Sequence, residues 1–365
     1  MLFLNGAIAF ELDHRAYCLR GIPSPPLLVA AAKEGRLSLC RLTPEPSISR
    51  LSAPGEIAAI SPHPTRPLLA LIERGSGKLL VLGFDGSLMF EEAAPRLPEV
   101  SRAFSDDIAS PNCQFDVSGT YLLCAANVSK DRVEVQLRET ERWSVVGRAV
   151  VADPFGPSHA SFHPTARSDT WSLWLAAGQD GKCVYWVMRN GGSLRVTIEP
   201  CLENSLPPLF SPSGDEFLTI DEPGSPLERY RYPPAELLGI CECPFAEDEF
   251  GTSLCYLDDS RALARSINGR IAVVDTQSMR VVDELAIEDH EPRPIEEYYP
   301  LVAGDDDKSL CSDITYFKRV GDYLIVVHRL HRPLEPGPDG RLKFEEWRDG
   351  MLCFPVGYVL ERYAA

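Results

Sequence analysis

Eleven cysteines and seven histidines supply most of the side chains here that could hold a metal ion or act as nucleophiles. Cys241-Glu242-Cys243, with Cys201 or Cys255, offers thiolates. Zinc usually takes two Cys-x-x-Cys or Cys/His knuckles, and none occurs. A Cys-x-Cys in a strand puts both thiols on one face, as core packing also would, so these cysteines read as core. His328 and His331 flank a strand end and lack a third and fourth ligand, so they read as surface or capping residues. His63 and His163 each precede a proline in equivalent turns. They could form a paired site on successive units, but turn chemistry is the stronger reading. Asp305-Asp306-Asp307 lacks the alternating acids and the glycine of a calcium loop, and reads as a solvated loop. Gly251-Thr252-Ser253-Leu254-Cys255 lacks the second glycine of a nucleophile elbow. Gly75-Ser76-Gly77-Lys78-Leu79 lacks the spacing and hydroxyl of a phosphate loop and reads as a hairpin turn. No catalytic residue, metal ligand or cofactor is expected, and the chain is not expected to be an enzyme.

Whatever positions these residues is built from short strands. Pro (31) and Gly (26) together make about one residue in six of the 365. Such punctuation suits strands and turns better than long helices. The chain is 44% hydrophobic, enough for a core. Its net charge of −17 repels phosphate backbones, which argues against a nucleic-acid binder. The cysteines lie scattered in apolar runs such as Leu123-Cys124 and Leu352-Cys353, as in a reducing compartment. Residues 1–13 carry no basic region before their apolar run, so they read as a strand or hairpin, not a signal peptide. No apolar stretch reaches the roughly 18 residues of a membrane span. The expected location is cytoplasmic. The sequon Asn127-Val128-Ser129 then carries little weight.

One unit recurs: an apolar strand, a polar turn, a second apolar strand, a Gly or Asp turn, and an alternating third strand. The clearest copies span 57–83, 113–137, 160–188, 208–232 and 254–275. Weaker copies span 21–42 and 314–330. The mean spacing of their first turns is about 49 residues, near the ~50 of kelch repeats and above the ~40–45 of compact WD repeats. One small sheet cannot hide both faces; stacking it radially against neighbours can.

The runs Phe162-His163-Pro164, Leu175–Trp186 and Phe210-Ser211-Pro212-Ser213-Gly214 resemble the WD40-like β-propeller superfamily. The Gly-His and Trp-Asp dipeptides of that family are absent, so its hydrogen-bonded tetrad is not carried over. The resemblance implies an all-β fold: a seven-bladed β-propeller of four-stranded blades, with eight or six blades as alternatives. In such families the N-terminal strand often completes the last blade. Residues 1–12 would then join a C-terminal strand at Met351–Leu360 and close the ring. A single domain over 1–365 is expected, with a projecting insertion near 331–347.

The expected function is a non-catalytic scaffold that binds a protein or peptide partner through inter-blade loops, within a larger assembly. The expected contact residues are Asp106, Asp107, Phe155, Glu296, Glu297, Tyr298, Tyr299, Asp305, Asp306 and Asp307. Aromatic residues among acids suit an interaction hot spot, and an acidic rim predicts a basic partner surface. Trp171 and Trp174 sit three apart and face opposite sides of a strand, one toward the core. The alternative is a hydrolase of the sugar-lactone type with a channel-bound divalent cation, for which Asn112, Asn127 and Asn204 are candidates.

Overall fold

A computed structural model describes residues 1–16, 18–74, 76–92, 112–129, 132–152, 159–164, 170–177, 181–190, 193–199, 208–220, 224–232, 235–246, 248–294, 310–330 and 348–364. The elements are almost all β-strands. Among the described residues, no helix is long and apolar enough to cross a membrane.

Among the described residues, the strands form six four-stranded sheets, one five-stranded sheet and a two-stranded pair. Each repeat copy from the sequence falls within one large sheet. The expectation of a seven-bladed propeller is corrected here: six four-stranded blades are described. The five-stranded sheet differs because Leu2–Leu4 adds to its edge, parallel to Arg280–Ile287.

The chain divides into two compact units. Unit 2, chiefly residues 17–215, holds the sheets of residues 18–52, 57–92, 112–152 and 159–199. Within each, the strands follow chain order and pair antiparallel. The strand Leu68–Glu73 shows why the sequence folds this way. Leu69 and Leu71 pack with Val29, Leu37 and Leu39 of the preceding sheet. Ala70 and Ile72 pack with Cys113, Phe115 and Leu122 of the following one. Alternate side chains point to opposite faces, so a sheet buried on both faces reads as a continuous apolar run. The fourth strand of a sheet is different: Ser47–Ser52 is largely exposed and correspondingly polar.

Unit 1 comprises Met1–Ala16, Glu216–Arg231 and Glu236–Ala365. The N-terminal segment serves two of its sheets. Leu2–Leu4 joins the five-stranded sheet, and Ile8–Glu11 pairs antiparallel with Arg348–Pro355. The N-terminal chain therefore does complete the last sheet, but through residues 8–11 and not all of 1–12. The expected C-terminal strand also needs correction: it runs Arg348–Pro355, and a helix, Val356–Ala364, follows. Val356 and Val359 share one helical face and are buried with Leu4, Phe317 and Phe354. The insertion at 331–347 lies outside the described residues.

A serine links successive sheets in both units. Ser61 Oγ accepts the backbone N–H of Phe115 at 2.9 Å, and Ser253 Oγ accepts that of Phe317 at 3.1 Å. Each bond joins the edge strand of one sheet to the edge strand of the next.

Candidate functional site

All ten expected contact residues, Asp106, Asp107, Phe155, Glu296, Glu297, Tyr298, Tyr299, Asp305, Asp306 and Asp307, lie outside the described residues. Trp171 and Trp174 fall in the strand Thr170–Ala177. The strands Leu68–Glu73 and Leu79–Gly83 on either side of Ser76-Gly77-Lys78 pair antiparallel, as across a hairpin turn, and Gly75 lies outside the described residues. Of the Cys-x-Cys pair, only Cys241 belongs to the strand Glu236–Cys241; Cys243 lies beyond its end. Burial pushes the Cys241 thiol up to about 11.

His63 and His163 both sit in turns between the first and second strands of their sheets. They do not occupy successive units, because the sheet of residues 112–152 comes between theirs. His63 Nδ1 accepts the N–H groups of Thr65 and Arg66, while Nε2 lies 3.0 Å from the Gly119 carbonyl oxygen and 2.9 Å from Arg66 Nε. His163 Nε2 lies 2.7 Å from the Gly214 carbonyl oxygen. Both glycines hold positive φ, +73° and +78°, in the corresponding turn of the next sheet. The two histidines are turn clasps, each spent on an inter-sheet bond.

Two other places carry chemistry. The first is a groove of about 380 Å³ in unit 2, at the turns of the sheets of residues 18–52 and 57–92. Leu27, Leu39 and Phe84 form its apolar lining, and Pro25, Pro26, Pro64 and Pro67 stiffen its walls. Arg41, which is exposed, and Arg66 reach it, with Ser47, Ser49 and Thr65. Among the described residues, no carboxylate lines it. In so acidic a chain this is a local inversion of charge, and it suits an apolar segment bearing a carboxylate.

The second is a cluster in unit 1. His290, Asp313 and His328 each present a ligand atom, all within 4.8 Å of one another. The local fold brings them together. Arg293–Pro294 pairs with Leu310–Cys311, which folds the turn holding His290 back toward Asp313. Asp313 precedes the strand Ile314–Val320, whose Ile314 faces His328 in the register. The backbone N–H of Arg329 donates to the Asp313 carbonyl at 2.9 Å. His290 Nδ1 lies 2.6 Å from Asp313 Oδ2, and His328 Nδ1 lies 3.9 Å from it. The two imidazole centroids are 4.4 Å apart. Asp313 is 8% exposed, and its Oδ1 has no hydrogen-bond partner among the described residues. Sequence reading had His328 without partners. The missing two stand 38 and 15 residues upstream, at no spacing that marks a ligand set.

No protein-family model and no curated protein matches the sequence. Solved structures do. A chain of Kuenenia stuttgartiensis hydrazine synthase superposes with a TM-score of 0.54 at 11% identity, over 87% of this chain and 94% of that one. The β-propeller domain of Cps50 (Swd1) from Myceliophteria thermophila superposes with a TM-score of 0.54 at 11% identity, over 94% and 99%. The fold is a β-propeller. Its blades are four-stranded antiparallel sheets, as in the WD40-like propellers that the sequence resembles. At this identity the likeness concerns the propeller fold alone.

Proposed function

We propose that the protein is a non-catalytic propeller scaffold that binds a protein or peptide partner through inter-blade loops, as a subunit of a larger assembly. In this reading it is a single cytoplasmic domain. The observation that carries the reading is the groove near Arg41. It joins apolar walls, stiff prolines and a cationic edge, and so fits a partner segment with apolar residues and a carboxylate. The acidic loop residues Asp106, Asp107, Glu296, Glu297 and Asp305–Asp307, with Phe155, Tyr298 and Tyr299, would meet a basic surface of the same partner. That contact would weaken with salt.

The sugar-lactone hydrolase reading draws less support. Of its candidates, Asn112 has a buried side chain, and the described residues form no acidic cluster around it.

The test is co-purification from native cells with tagged wild-type protein and an Arg41→Glu/Ser49→Trp variant. Both positions are exposed, so the variant should fold. A partner retained by the wild type and reduced at least tenfold on the variant supports the reading. Equal recovery on both moves the contact away from the groove. Recovery of nothing by either defeats the scaffold reading.

A further inference from the structure

We propose that His290, Asp313 and His328 bind one divalent transition-metal ion of the zinc class. The site is independent of the partner groove, and its success or failure leaves the scaffold reading untouched.

The donor set argues for the class of ion. Two imidazoles and one carboxylate suit zinc, iron, cobalt and nickel. Calcium instead takes six to eight oxygens, which a site with two ring nitrogens does not supply. Separation agrees as well: with bonds of about 2.0–2.2 Å, ligand atoms around a tetrahedral ion stand about 3.3 Å apart. The three donors already lie within 4.8 Å of one another, so small side-chain shifts suffice.

Burial argues that the cluster is built to hold charge. The Asp313 carboxylate is withdrawn from water, yet only one of its oxygens has a partner among the described residues. A buried carboxylate oxygen without a partner is costly. A cation among the three residues would bind this carboxylate and offset part of that cost. Binding would replace the His290–Asp313 contact with two metal bonds and release the Nδ1 proton where His290 carries it.

Space is also reserved for one ligand. Gly350 faces His328 on the neighbouring strand, and a side chain at 350 would collide with Nε2 and Cε1 of the imidazole. Three protein donors leave further coordination positions for water or an external ligand.

The test uses the full chain, stripped with a chelator and titrated with Zn²⁺ and then Co²⁺. The expected result is one equivalent bound, with visible cobalt bands and no thiolate-to-cobalt charge-transfer band. Asp313→Asn and His290→Gln should each weaken binding at least tenfold, with the fold checked by circular dichroism. If Asp313→Asn does not fold, His290→Gln carries the comparison, since His290 sits in a turn. Absence of stoichiometric uptake, which would leave a His–Asp ion pair only, overturns the proposal. So does a thiolate-type cobalt spectrum, or unchanged affinity in a folded variant.

Discussion

His63 Nε2 lies 3.0 Å from the carbonyl oxygen of Gly119, a residue 56 positions away in the turn of the next sheet. Gly119 has a φ of +73°, and a Cβ there would overlap the imidazole. His163 and Gly214 repeat the arrangement. Gly119→Ala meets both a strained φ and a clash, and should cost about 1–3 kcal/mol. Urea denaturation checks this. A loss within a few tenths of a kcal/mol would mean that the clasp does not bind the sheets.

The same histidine makes stability depend on pH. Burial, and then the Arg66 guanidinium, push its pKa down from 6.5 to about 4, against weaker opposing effects of the Gly119 carbonyl and Asp116. The folded state therefore prefers neutral His63, while the unfolded chain protonates it near 6.5. This contribution is full above pH 6.5 and is lost as pH falls toward about 4, to a limit of about 3 kcal/mol. Unfolding curves for the wild type and His63→Asn should converge over that window. Parallel curves would contradict the assignment.

Arg138 is 4% exposed and grips Glu92 through two bonds of 2.7 Å, while donating also to Gln136 and to the Trp143 carbonyl. The pairing holds the Glu92 carboxyl below its usual range. Glu92→Gln leaves a guanidinium buried with weaker partners and should cost about 1–3 kcal/mol. Arg138→Met added to Glu92→Gln should recover part of that loss. A double mutant worse than the sum of the singles would show that the apolar replacement packs badly.

Gly350→Ala places a methyl against the His328 ring. The expected outcome is a loss of about 1–3 kcal/mol and a cobalt affinity at least tenfold lower than that of the wild type. Calorimetry and the visible spectrum read the two effects separately. Lowered stability with undiminished cobalt binding would show that the ring moves without leaving the cluster.

Burial raises the thiols of Cys40, Cys124 and Cys255 to about 12, and none of the three is in a disulfide. A thiol reagent at pH 8 should leave these three unmodified in the folded protein, and all eleven cysteines should react in denaturant. Rapid labelling of Cys255 in the native protein would mean that its sheet opens readily.

Much of the architecture was legible before folding, and the reason is local. Leu68–Glu73 and Leu79–Gly83 are buried on both faces, so their residue types alone mark them as strands. The outer strand Ser47–Ser52 left no such mark because water covers it. The C-terminal helix was misread as strand because Val356 and Val359 belong to a short apolar run that fits either period.

The inner strands and the polar turns between them thus followed from the sequence alone, because burial of alternate side chains stamps a period of two on neighbouring residues. Two things awaited the tertiary structure. One is the N-terminal segment, whose Leu2–Leu4 and Ile8–Glu11 enter different sheets. The other is the meeting of His290, Asp313 and His328. Both depend on contacts between residues far apart in the chain, and long-range proximity leaves no periodic trace in a single sequence.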